Sequence, residues 1–106
     1  RRIHEVEGVK LAGDILQQVQ YDPVKTAEIL EIIGGHDSRL YAISDSDKIV
    51  KDADKLFRCT PTGMAIDGER FRHSREYHLQ WTSNQIDAWF FTETGKRLAW
   101  MELRKE

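Results

Sequence analysis

Apolar residues recur at intervals of three or four along this 106-residue chain, and no segment alternates convincingly between apolar and polar residues. Intervals of three and four place side chains on one face of an α-helix, whereas alternation is typical of a strand. The pattern therefore predicts an all-α fold with helices over residues 2–20, 23–34 and 46–58. A short helix over 64–71, a longer one beginning at Ser74 and a last helix closing the chain complete the prediction.

Local signals support the ends of the first helices. Asp22 followed by Pro23 is typical of an N-cap and a first helical residue. Gly34–Gly35 then predicts the end of that helix, because glycine is common at helix C-termini. Gly8 and Gly13 each weaken the first helix by up to ~1 kcal/mol, which indicates a neighbour packed closely against it.

The periodicity also predicts which side chains face the core. Five aromatic residues are expected to pack there, although exposed members could form a dimer surface. They are Trp81, Trp89, Phe90, Phe91 and Trp100. His73 and His78 are predicted to lie on the surface. The predicted inward residues are Ile3, Val6, Val9, Ala12, Ile15, Leu16 and Val19 in the first helix, Val24, Ala27, Leu30 and Ile33 in the second, and Ile49, Val50, Ala53, Leu56 and Phe57 in the third.

Composition excludes several classes of protein. A formal net charge of −2 argues against a dedicated nucleic-acid surface, which usually carries a basic excess. No apolar run approaches the roughly 18 residues of a membrane span. Cys59 is the only cysteine, so an internal disulfide is impossible and a reducing, cytoplasmic setting is the natural expectation.

Three places in the chain carry residues suited to metal chemistry: His4, His36–Asp37 and Asp54. Imidazole and carboxylate groups are common ligands of divalent cations. Each position has an ordinary structural explanation, since a lone histidine is more often solvated or packed than a ligand. Asp54 is harder to explain, because it adjoins Ala53 near the apolar face, and a buried acid needs a partner.

The residues around these positions resemble motifs of the HD-superfamily metal-dependent phosphohydrolases. Residues 4–16 (HEVEGVKLAGDIL) are similar to a helix of that family, and residues 32–36 (IIGGH) are similar to its later histidine. Residues 49–56 (IVKDADKL) resemble its Asp-Ala-Asp-Lys/Arg-Leu signature, the most specific of the three. The resemblance covers residues 3–58, whereas the aromatic-rich remainder matches loosely.

The resemblance implies an HD-like helical bundle that hydrolyses a phosphorylated small molecule or nucleotide with one or two divalent metal ions. The metal could be Mg, Mn, Fe, Ni, Co or Zn. Asp37 would orient His36 or act with it in catalysis. The implied metal ligands are Asp54, His36 and His4, the catalytic candidates are His36 and Asp37, and the substrate-binding candidates are Arg39 and Lys55.

The spacing allows two assignments of the histidines. His36–Asp37 could be the pair that names the family, preceded by His4 as its first histidine. However, Asp54 follows Asp37 by only 17 residues, a gap that suits the family's later histidine and late aspartate. On that assignment the chain is the second half of the family domain.

The second assignment predicts an incomplete domain, as does the absence of an initiator methionine before Arg1. Apolar residues of the first two helices would then be exposed, and the chain would dimerise or associate with an upstream half. The alternative function is a non-catalytic helical module that dimerises through its aromatic tail and retains the HD-like sequences for packing. The residues expected to be exposed are Val6, Val9, Ile29 and Ile32.

Overall fold

The structure, a computed structural model, describes residues 2–105, with the side chains of residues 3–105. Seven α-helices and no strands occur in this range, which confirms the all-α prediction. The chain divides into two compact units, one ending at Asp47 and one beginning at Lys48, so the division falls in the first turn of α3. The helices are α1 (Arg2–Gln18), α2 (Pro23–Gly35), α3 (Asp45–Cys59), α4 (Pro61–Arg70), α5 (Arg75–Ser83), α6 (Ile86–Trp89) and α7 (Glu93–Leu103).

The first unit is built on the pairing of α1 with α2. A β-carbon added at Gly8 would lie 3.2 Å from Ile33, and one added at Gly34 would lie 3.3 Å from Val9. The start of α1 therefore lies beside the end of α2, and the two helices are antiparallel. Glycine at these positions lets the helices approach closely, as Gly8 in the sequence indicated.

Both ends of the connection between these helices follow helix-capping rules. Asp22 accepts a hydrogen bond from the Lys25 amide at 2.8 Å, which confirms the predicted N-cap. At the end of α1, Gln20 has a left-handed backbone with φ of 56°. The Tyr21 amide then reaches the Leu16 carbonyl at 3.0 Å, a bond that closes the helix before residue 20.

The second unit has a small buried core where α3, α6 and α7 meet. Cys59 and Ala99 are fully buried, and Phe90 is nearly so. Of the five aromatics expected in the core, Phe91 and Trp100 are instead exposed, while Trp81 and Trp89 form a half-buried, edge-to-face pair. The core residues are Cys59, Ile86, Phe90 and Ala99, with Leu56, Trp89 and Leu103 packed against them.

The chain breaks differently from the prediction after α3. Thr60 caps α4, so the expected break at residues 60–63 is a helix start. A β-carbon at Gly63 would collide with the Phe57 carbonyl, which explains the glycine there. Ser74 caps α5 as predicted, but the expected long helix is interrupted at Asn84 before α6 begins.

The predicted inner face of α3 is wrong except at Leu56, which is half-buried against the core. Ile49 is 65% exposed and Phe57 53% exposed, and Val50 and Ala53 also face solvent. The helix instead buries its opposite, polar side, whose acidic groups receive hydrogen bonds from neighbouring segments. The buried residues on that side are Asp47, Lys51, Asp52 and Cys59.

The inward faces of α1 and α2 are only partly as predicted. Val9 and Leu30 are half-buried, whereas Ile15 and Val24 are exposed although they were expected inside. Of the four residues expected to be exposed, Val6 is exposed and Ile32 is buried. The remaining exposed members of the predicted inward set are Ile3, Val19 and Ala27, and its remaining half-buried members are Ala12, Leu16 and Ile33.

Candidate functional site

The loop after α2 is held by a buried acid next to His4. Glu5 is 3% exposed, and its Oε2 atom accepts hydrogen bonds from the amides of Asp37 at 3.0 Å and Ser38 at 2.8 Å. The Ser38 hydroxyl donates to the same oxygen at 3.0 Å. His4 itself is exposed. Glu5 therefore fixes the segment that carries His36 and Asp37 against α1.

These contacts determine the protonation state of Glu5. Burial by itself would raise the pKa of this carboxyl group. The hydrogen bonds from Ser38 and Asp37 outweigh that effect, and nearby His36 adds to them, so the pKa falls from 4.5 to about 2. Glu5 is consequently a charged acceptor throughout the neutral range.

His36 is oriented by its own helix. Its Nδ1 atom lies 2.7 Å from the Ile33 carbonyl oxygen. A carbonyl only accepts hydrogen bonds, so Nδ1 carries the proton and Nε2 of the neutral ring has a lone pair. The side chain is half-buried. A backbone carbonyl on one ring nitrogen is the usual arrangement of a histidine whose other nitrogen binds a metal.

Arg39 is paired within the first unit. Its guanidinium contacts Asp47 at 3.1 Å, and the fully buried Asp47 also accepts from the Ile43 amide at 3.0 Å. A β-carbon at Gly35 would collide with this guanidinium, so glycine leaves the space that Arg39 occupies. The proposed substrate-binding residue thus also helps to order the loop before α3.

The two acids of the Asp-Ala-Asp sequence occupy different environments. Asp52 is buried and accepts hydrogen bonds from the Phe91 amide at 2.8 Å, the Thr92 amide at 3.1 Å and the Thr92 hydroxyl at 2.5 Å. A β-carbon at Gly95 would strike its carboxylate. Asp54 is exposed, so the expectation that it needs a partner near a buried apolar face is wrong.

Lys55 lies over an aromatic ring in the second unit. Its ammonium is 5.3 Å from the centre of Trp89, and the Arg58 guanidinium is 4.6 Å from the same ring. Arg58 also donates to Asp67 at 2.8 Å. Lys55 therefore belongs to a half-buried cluster of cations and tryptophans.

The structure places the predicted site residues in both units. His36, Asp37 and Arg39 lie in the first, and Asp54 and Lys55 lie in the second. The joint role of these residues remains a prediction. Within residues 2–105, no three His, Cys, Asp or Glu side chains are grouped so as to hold a metal ion.

A histidine pair was missed by the sequence analysis. His78 is 1% exposed, not on the surface, and its Nδ1 lies 3.0 Å from Nδ1 of half-buried His73. With Ser74 as N-cap, His73 is the residue before the cap and His78 the fourth of the helix. Side chains at those two positions commonly pack together, and this signal could have identified the pair.

Comparison with known proteins adds no assignment. No protein-family model, no curated protein and no solved structure matches the chain. None of the helices within residues 2–105 is long and apolar enough to cross a membrane.

Proposed function

We propose that this chain is part of an HD-type metal-dependent phosphohydrolase, in which His36 and Asp54 each serve as a ligand of a divalent metal ion. The observation that carries the proposal is the hydrogen bond between His36 Nδ1 and the Ile33 carbonyl at 2.7 Å. It fixes the tautomer and directs the lone pair of Nε2 outward from its own helix, as a metal ligand requires.

The separate environments of Asp52 and Asp54 support the same proposal. The Asp52 carboxylate accepts three hydrogen bonds that hold the segment before α7. Asp54 is exposed and makes no side-chain hydrogen bond to another described residue. Asp54 is therefore a better candidate for a metal ligand than Asp52, whose carboxylate already accepts three hydrogen bonds.

The proposed chemistry gives each candidate residue a separate role. A bound divalent metal would supply an activated water and neutralise charge on the phosphoester. His36 would be a metal ligand through Nε2, with His4 as a further ligand and Asp37 beside His36. Asp54 would be a metal ligand through its carboxylate. Arg39, already oriented by Asp47 through Nη2, would hold a phosphate oxygen through Nη1.

The exposed face of α3 indicates how the ligand set could be completed. Ile49, Val50, Ala53 and Phe57 form this apolar face. Asp54 follows Val50 by four residues and precedes Phe57 by three, so it borders the face. A polypeptide covering these side chains would reach Asp54 and could contribute further ligands, either from a second copy or from another segment.

Metal titration tests the proposal directly. Isothermal titration with Mn²⁺ or Zn²⁺ should show saturable binding that His36→Gln and Asp54→Asn each weaken at least tenfold. Asp14→Asn, which removes an exposed acid on α1, is the matched control and should leave binding unchanged. Phosphatase activity on p-nitrophenyl phosphate should follow the same order. Binding that is absent, or indifferent to both substitutions, overturns the proposal.

A second candidate function is favoured by the same exposed face. The chain could be a non-catalytic module that dimerises through α3, since a protein rarely leaves such a contiguous apolar surface uncovered. Light scattering should then report a dimer that Phe57→Glu converts to a monomer. Leu40→Glu, at an exposed loop position, is the control. A dimer without metal binding supports the module, and a monomer at all concentrations excludes it.

A further inference from the structure

The second unit contains a cavity that plays no part in the proposed metal chemistry. Its volume is about 370 Å³, and it lies between α4, α5 and α7. Ligand pockets occupy roughly 300–1,000 Å³ and are mostly apolar with a few polar groups. The apolar residues of this wall include Met64, Ala65, Leu79 and Leu103.

The His73–His78 pair forms part of the wall. With the two Nδ1 atoms 3.0 Å apart, one ring donates and the other accepts, so at least one ring is neutral. His73 contacts His78 through Nδ1, so the Nε2 atom of His73 takes no part in this hydrogen bond. The Nε2 atom of His78 is buried and makes no hydrogen bond within residues 2–105.

The cavity wall carries equal numbers of basic and acidic side chains, apart from the two histidines. Lys105 pairs with Glu102, which leaves Arg75 and Glu69. Arg75 makes no ion pair or side-chain hydrogen bond to another described residue. A single negative charge could pair with this guanidinium, whereas the second charge of a dianion would find no unpaired cation in the wall and would be repelled by Glu69.

We propose that this cavity binds a small organic molecule with an apolar body and one carboxylate group. Arg75 pairs with the carboxylate, and Nε2–H of His73 donates to it. His78 supports this tautomer by donating from Nδ1 to Nδ1 of His73. Met64 and Leu79 contact the apolar body. The site is independent of the metal ligands proposed above, and neither proposal depends on the other.

Matched ligands test the chemical class. Below its micelle concentration, decanoate should bind the full chain in isothermal titration and raise its melting temperature. Decan-1-ol, decylamine and decyl phosphate share the apolar chain but differ in head group, and each should bind at least tenfold more weakly. Equal binding of the alcohol shows that no carboxylate is recognised. Tighter binding of the amine or phosphate, or no binding of any probe, overturns the proposal.

Substitutions test the location. Arg75→Gln should weaken decanoate binding at least tenfold, whereas Arg104→Gln, at an exposed position outside the cavity wall, should have no effect. His73→Phe should weaken binding, and His73→Gln, whose amide can replace the Nε2 donor, should restore most of it. Unchanged binding in both Arg75→Gln and His73→Phe excludes this cavity. Circular dichroism establishes that each variant is folded.

Discussion

Ser38 donates two hydrogen bonds to one oxygen of Glu5, from its amide at 2.8 Å and from its hydroxyl at 3.0 Å. The residues are 33 positions apart, so this contact ties α1 to the loop that carries the proposed site. The buried carboxylate also accepts from the Asp37 amide. Its replacement therefore affects both the fold and the order of the loop.

Glu5→Gln should lower the free energy of unfolding by about 1–3 kcal/mol, because a neutral amide is a weaker acceptor and brings donors into a site that needs none. Urea denaturation measures the change. Glu7→Gln alters an exposed glutamate on the same helix and should change stability by less than about 0.5 kcal/mol. Equal effects of the two substitutions would contradict the role assigned to Glu5.

Acid should weaken the same contact. The pKa of Glu5 is lowered from 4.5 to about 2 in the folded protein, so the unfolded chain binds more protons between these values. The stabilisation is complete above the unfolded pKa and is lost as pH falls through the folded pKa. The stability difference between wild type and Glu5→Gln should therefore shrink between pH 4.5 and pH 2. A constant difference across that range would falsify the assignment.

Asp52→Asn should destabilise the chain by about 1–3 kcal/mol, because the carboxylate accepts three hydrogen bonds from Phe91 and Thr92. Asp54→Asn, two residues away and exposed, should change stability by less than about 0.5 kcal/mol. Thermal unfolding compares the two variants. A larger loss of stability in Asp54→Asn than in Asp52→Asn would show that Asp54, and not Asp52, stabilises the fold.

The sequence predicted the position of α3 correctly but its orientation wrongly. Periodicity identified the apolar stripe through Ile49 and Phe57, and the usual rule places such a stripe inside. In the structure the polar side is inside, because its acids accept backbone hydrogen bonds from loops. Asp47 accepts from the Ile43 amide in the irregular segment before α3, and Asp52 accepts from the Phe91 amide, 39 residues away. Such partners leave no periodic signal, so the buried acids could not be found from spacing.

Features that depend on adjacent residues were predicted better from the sequence than contacts between distant residues. Asp22 and Ser74 were recognised as caps, since capping depends on a few adjacent residues. Glu5 was missed because its partners are more than 30 positions away. His36 was identified by resemblance to a family motif, and its hydrogen bond to Ile33 followed only from the structure.

Glycine at either of two left-handed positions should stabilise the chain. Gln20 and Arg72 both have φ of 56°, a conformation that costs other L-residues about 1–2 kcal/mol and glycine little. Gln20→Gly and Arg72→Gly should each raise the free energy of unfolding by up to about 1 kcal/mol. Lys10→Gly, at an exposed position in the middle of α1, should lower it by a similar amount. Destabilisation by the first two substitutions would contradict these backbone assignments.

The buried histidine should make stability depend on pH in a range separate from that of Glu5. Burial lowers the pKa of His78 below 6.5, with His73 and Arg58 adding to the effect and Asp67 opposing it. The folded state therefore binds fewer protons than the unfolded chain, and stability should decrease as pH falls below about 6.5. His78→Gln should flatten the dependence between pH 7 and pH 5. His4→Gln, at an exposed position, should leave it unchanged. NMR titration of the imidazole resonances checks the same inference, since a pKa of His78 at or above 6.5 would be incompatible with it.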